Sequence, residues 1–142
     1  PFRRQRQMCI RDRCYTKAKP SVIDKLTIKK GIQILNKSNS YNHVQALVIN
    51  NQKVVSLEKR KGTKDMLKSI RNNNLQNKLL LKMPKSKQDL RADLPTIGLD
   101  TIKDCKKANI RGIVVKAGQN IFLDKHKGLQ FANKNNIFVM AT

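Results

Sequence analysis

The chain has 142 residues, about one domain's worth of sequence, of which 39% are hydrophobic and 28% charged. That composition can bury a core, and it excludes collagen-like, coiled-coil and low-complexity architectures. No apolar run approaches the roughly 18 residues that a membrane span needs, and no apolar stretch follows the N-terminal arginines as in a secretory signal, so the expectation is a soluble, intracellular protein.

Thirty-one lysines and arginines against nine acids give a net charge of +22, which raises nucleic acid or an anionic surface as a partner. Five of the nine arginines fall within the first thirteen residues. The remaining charge is largely lysine, which with the 14 asparagines follows AT-rich coding, so part of it reflects genome composition. Residues 3–13, RRQRQMCIRDR, resemble the translation of a sequencing adapter. Residues 1–18 are therefore set apart as an assembly artefact or a disordered basic arm, leaving 19–142 as the domain. Of the three cysteines only Cys105 then remains, at an apolar helix position that suits a small buried hydrophobe. No CxxC pair or zinc-spaced cluster occurs, and His43 and His126 have no ligand-like companions.

From Lys19 onward helical and extended patterns alternate. Pro20-Ser21 followed by Asp24 predicts a capped helix start, with Ile28, Ile32 and Leu35 on one face and the polar run 36–42 as its end. Residues 44–49 and 53–57, separated by Asn-rich turn residues, predict a hairpin. Gly62-Thr63 opens a short helix carrying Met66, Leu67 and Ile70, and the apolar run 79–81 predicts a strand buried on both faces. After the loop 82–98 come a helix over 100–108, an extended pair over 112–116 and 120–123, a helix over 125–133 and a last strand over 137–140. A shift of 66 residues lays 46–62 on 112–128 without a gap, the pattern of a duplicated strand-strand-helix-strand unit. The expected fold is a single three-layer α/β domain with a mixed sheet.

Acids are scarce, and four of the nine lie between Asp89 and Asp104. Pro95 disfavours helical geometry at Leu94, so the stretch before it is expected to run extended, with Asp89, Arg91 and Asp93 on one face. Two carboxylates and an interleaved guanidinium suit a magnesium-assisted phosphate site, with Arg91 clamping phosphate and Lys82, Lys85 and Lys87 adding positive potential. The competing reading is a salt-bridged surface loop. Gly98-Leu99-Asp100-Thr101 opens a helix whose free N–H groups suit an anion. Gly62-Thr63 fits a helix cap as easily as a phosphate contact, and Glu58, the one glutamate of the chain, follows a strand, where a lone carboxylate is more often structural than catalytic.

The same loop carries a family resemblance. QDLRADLPTIG, residues 88–98, with the lysines before it, resembles the bacterial UDP-2,3-diacylglucosamine pyrophosphatases of lipid A synthesis, whose pattern reads roughly K-x-x-K-x-x-Q-D-x-R-x-D-x-P-x-x-G. Lys82, Lys85, Gln88, Asp89, Arg91, Asp93, Pro95 and Gly98 match it. Upstream, Gln45, Ala46, Glu58, Gly62, Thr63, Met66 and Leu67 match the family's G-Q-A-V-V and E-x-x-E-G-T-D-x-M-L segments, and 114–124 resembles its V-E-A-G-x-x-x-x-L-D run. Lys61, Lys64 and Lys116 replace family acids, and His43 stands where a glycine-flanked strand entry is usual. The resemblance covers the C-terminal one of two domains. It implies hydrolysis of a UDP-linked diacylated glucosamine to UMP and the acylated sugar phosphate, at the cytoplasmic face of the inner membrane. Asp89 and Asp93 would hold Mg2+ or orient water, with Arg91 as the third catalytic group. Lys82, Lys85, Gln88, Gly62, Thr63 and Glu58 would contact substrate. The alternative is a basic RNA-binding α/β module without catalytic activity. It asks for aromatics interleaved with the basic residues, and only six aromatics occur, so nucleic acid is not the expected partner.

Overall fold

The computed structural model describes residues 13–42, 46–59, 61–83, 96–118 and 120–142. In chain order these form β1 (Arg13–Cys14), α1 (Val22–Asn42), β2 (Ala46–Asn50), β3 (Lys53–Leu57), α2 (Gly62–Ser69), β4 (Lys78–Lys82), β5 (Thr96–Ile97), α3 (Leu99–Lys107), β6 (Ile110–Val115), β7 (Ile121–Phe122), α4 (Lys125–Lys134) and β8 (Phe138–Ala141). Six strands make one mixed sheet in the order β1-β8-β6-β4-β2-β3. Its centre, β4-β6-β8, is parallel, whereas β2 on β4, β3 on β2 and β1 on β8 run antiparallel.

Side chains two apart in a strand share a face, and the sheet uses both. Ala46, Val48, Leu80, Ile113, Val115 and Val139 pack with Met66 and Leu67 of α2, Ile102 and Cys105 of α3 and Ala132 of α4. Their neighbours Leu47, Ile49, Leu79, Leu81, Val114 and Phe138 pack with Ile28 and Leu35 of α1. The result is the expected three layers. It also explains why Leu79, Leu80 and Leu81 form a continuous apolar run: each is fully buried, on alternating faces.

The start of α1 is a reciprocal cap. Ser21 Oγ accepts from the Asp24 N–H at 3.1 Å, and Asp24 Oδ2 accepts from the Ser21 N–H at 2.9 Å, which satisfies two of the free donors of a helix N-terminus. The helix runs on to Asn42, through the polar run expected to end it. That run contains neither glycine nor proline, and polarity alone does not break a helix. The β2–β3 hairpin forms as expected on a two-residue turn, Asn51 and Gln52, both at positive φ (47° and 69°), which matches the strand twist.

The second extended pair does not form. β6 already has β4 on one edge and β8 on the other, so no edge is left for β7, which pairs instead with β5 in a separate two-stranded parallel sheet. The element order of the proposed duplication recurs, but β2 and β4 are antiparallel where β6 and β8 are parallel. The described fold also begins ahead of Lys19. Arg13 and Cys14 pair with Ala141 and Met140, the Tyr15 N–H donates to the Val139 carbonyl at 2.8 Å, and Thr16 Oγ1 accepts from the Val139 N–H at 3.0 Å. Residues 1–12 lie outside the described residues.

Candidate active site

In open α/β sheets, ligand crevices form outside the carboxyl ends of the strands. At the carboxyl end of β4 the structure has a cleft of about 350 Å³ lined by Glu58, Lys61, Gly62, Thr63, Lys64, Leu67, Lys82, Thr101 and Asp104. Each side chain reaches it for a local reason. The Glu58 N–H donates to the Ala46 carbonyl at 2.9 Å, fixing the chain as it leaves β3. It then turns into α2 through Gly62, whose φ of +90° favours glycine. One residue into the helix, Thr63 Oγ1 donates a 2.7 Å hydrogen bond to Glu58 Oε1.

Across the cleft stands Lys82, the last residue of β4. Its Nζ donates to the Thr96 carbonyl at 2.7 Å. Burial lowers its pKa from the ordinary lysine value, and the Glu58 carboxylate and the Cys105 sulfur partly oppose that shift. From below, α3 contributes Thr101 and Asp104. Thr101 Oγ1 accepts from the Gly98 N–H at 3.3 Å, and Asp104 lies 3.8 Å from Arg71. Cys105, on the same helix, is fully buried, and burial drives its thiol pKa strongly up. It is the inert core residue expected of it.

Four residues singled out in the sequence, Glu58, Gly62, Thr63 and Lys82, thus meet around one cleft, although 24 positions separate the first from the last. Lys85, Gln88, Asp89, Arg91 and Asp93 lie outside the described residues, as do His43, Gln45 and Pro95. The residues that bracket that stretch are described, and they converge: Lys82 and Thr96 are hydrogen-bonded to each other at the cleft. The sequence reading missed Asp104 as a lining residue, named Thr101 only within a helix start suited to an anion, and treated Lys61 and Lys64 only as departures from a pattern. A signal was present, because Thr101 and Asp104 fall on one face of a helix, three apart.

Chemically the described lining offers hard oxygen donors on Glu58, Asp104, Thr63 and Thr101 beside the ammonium groups of Lys61, Lys64 and Lys82, with no cysteine or histidine. Among the described residues no three His, Cys, Asp or Glu side chains gather as a metal site. One or two carboxylates in an open cleft are what a magnesium ion uses when substrate phosphate and water complete its coordination.

A family model described as the LpxI C-terminal domain matches residues 11–140. A curated relative, the UDP-2,3-diacylglucosamine pyrophosphatase LpxI of Caulobacter vibrioides, is 28% identical over 132 residues, an alignment covering 87% of this chain and 47% of the relative. The chain spans about half the length of that relative.

Proposed function

Because this chain belongs to the LpxI C-terminal domain family, we propose that it is the catalytic half of a hydrolase of lipid A biosynthesis. The reaction is cleavage of the pyrophosphate of UDP-2,3-diacylglucosamine to UMP and 2,3-diacylglucosamine 1-phosphate. Water attacks one phosphorus, the bridging P–O bond breaks, and the leaving phosphate keeps the electron pair. In this proposal the other half of the full-length protein completes the groove for the acyl chains, the isolated chain turns over poorly, and the work is done at the cytoplasmic face of the inner membrane.

The observation that carries the reading is the Lys82–Thr96 hydrogen bond at the cleft. It ties both ends of the stretch holding Asp89, Arg91 and Asp93 to the place where Glu58, Thr63 and the lysines already stand. Lys82, with Lys85 and Arg91, would neutralise charge growing on the phosphate oxygens. Thr63 orients Glu58, and Gln88 and the Gly62 backbone contact substrate. Asp89 and Asp93 would hold magnesium, with the oxygen donors of the described lining around it. Bound there, the ion would polarise the phosphoryl oxygens.

The test is a fusion of this chain behind the N-terminal half of the Caulobacter relative, assayed for UMP release from UDP-2,3-diacylglucosamine. Turnover is expected to fall by a hundredfold or more in Asp89→Ala and Asp93→Ala, with the melting temperature measured alongside to show that the fusion still folds. A fusion that folds and shows no turnover, or variants that keep full activity, would overturn the proposal.

A further inference from the structure

The outer face of α1 breaks the usual rule for a helix that covers a sheet. Its inner face is accounted for by Ile28, Leu35 and the buried Asp24 and Thr27. Yet Val22, Ile23 and Leu26 are 76%, 61% and 53% exposed, three large apolar side chains within two turns of the same helix. Single exposed apolar residues are ordinary; a cluster marks an interaction surface. The residues around this cluster have one sign. Lys19, Lys25, Lys29 and Lys30 are exposed, and Asp24, the one acid of α1, is 5% exposed and paired with Arg111 Nε at 3.2 Å.

We infer that the first two turns of α1 dock on the anionic surface of a phospholipid bilayer, with Val22, Ile23 and Leu26 entering the headgroup region and Lys19, Lys25, Lys29 and Lys30 contacting lipid phosphates. An apolar patch rimmed by lysines is the pattern of an interfacial helix: apolar burial provides the anchor, and the cations select a negative surface. With Asp24 buried and paired, the exposed rim described here carries positive charge, which complements a phosphate surface. Ile23 shares a concavity with Asn50, Asn51, Gln76 and Asn77, at the end of the sheet opposite the cleft. For its purpose, which is to hold the chain at the bilayer that carries an acylated substrate, it rests on the proposed function. Its test reads lipid binding, so either can fail alone.

The experiment is co-sedimentation of the 142-residue chain with vesicles of phosphatidylglycerol and phosphatidylcholine, and of phosphatidylcholine alone, at 0.15 M salt and above. Binding to the anionic vesicles is expected to exceed that to the neutral ones. The charge-conserving variant Val22→Gln/Ile23→Gln/Leu26→Gln should bind about tenfold more weakly or less still, with an unchanged circular dichroism spectrum, while Leu123→Gln, equally exposed elsewhere, should bind as the parent does. If the triple variant binds as well as the parent, bulk positive charge is responsible and the inference falls. It falls equally if the parent dimerises through this face and the triple variant is monomeric.

Discussion

Thr63 Oγ1 lies 2.7 Å from Glu58 Oε1, a contact that closes the turn from β3 into α2 and aims the carboxylate across the cleft from Lys82. The donor is 8% exposed, so it has little water to turn to. Thr63→Val keeps the shape and removes the donor. A part-buried hydrogen bond to a charged acceptor is worth about 1–2 kcal/mol, and urea denaturation of the variant should show a loss of that size. In the two-domain fusion the same change should lower turnover about tenfold, whereas Thr63→Ser should retain most of it.

Gly112 is required by packing. It pairs with Phe138 across β6 and β8, and a methyl group on Gly112 would sit 2.1 Å from the Phe138 ring. The ring is buried against α1 and cannot swing out. Gly112→Ala should cost about 2–3 kcal/mol of stability by overpacking. Combining it with Phe138→Leu should recover part of that loss. Additive costs in a double-mutant cycle of urea midpoints would show that the two positions do not compete for space.

Asp24 serves two partners, the Ser21 N–H at 2.9 Å and Arg111 Nε at 3.2 Å, which joins the start of α1 to β6. Asp24→Ala removes the cap and leaves a half-exposed guanidinium behind. The expected loss is about 1–2 kcal/mol, of which the cap is the larger share because Arg111 can still reach water. Arg111→Ala should cost less than Asp24→Ala. The reverse order in thermal denaturation would contradict the assignment.

Among the described residues, three lysines are held below their ordinary pKa. Burial lowers Lys78, which donates to the Asn73 carbonyl at 2.8 Å, and Lys82; burial and the nearby Arg13 lower Lys125. Between each folded pKa and the unfolded value of about 10.4, the unfolded chain binds more protons than the folded one. Stability therefore rises as pH climbs through that window, and the contribution is absent below the folded pKa. The buried Cys105 thiol works the other way, because it ionises more readily in the unfolded chain, so the lysine effect is read as a difference: from pH 7 to pH 10 the urea midpoint of the parent should rise relative to that of Lys82→Gln. A difference that stays constant over this range would contradict the burial of Lys82.

How much of this was legible follows from how local each signal is. The Ser21–Asp24 cap, the turn at Asn51-Gln52 and the apolar run at Leu79 to Leu81 depend on neighbours in the chain, and each was readable to within a residue or two. The polar tail of α1 was misread because hydropathy reports burial and does not report helix breaking. The pairing of β7 was misread because it depends on whether the edge of β6 is free, and β8, which occupies it, is specified some 20 residues downstream. The pairing of β1 was hidden by its adapter-like neighbourhood, since a two-residue edge strand has no periodicity to detect. In the cleft, Glu58, Gly62, Thr63 and Lys82 were marked by a resemblance, while Thr101 and Asp104 emerged only when α3 packed beneath them.

Alone, the order of residues determined where most of the helices and strands fall, that Cys105 is core, and that the chain carries the motifs of the LpxI C-terminal domain family, because periodicity, capping and motif are all short-range properties of a chain. Tertiary structure decided that β4, β6 and β8 run parallel, that Glu58 faces Lys82 across one cleft, and that Val22, Ile23 and Leu26 stay uncovered. Those facts depend on which surfaces remain after every other element has packed, and that balance is struck over the whole molecule.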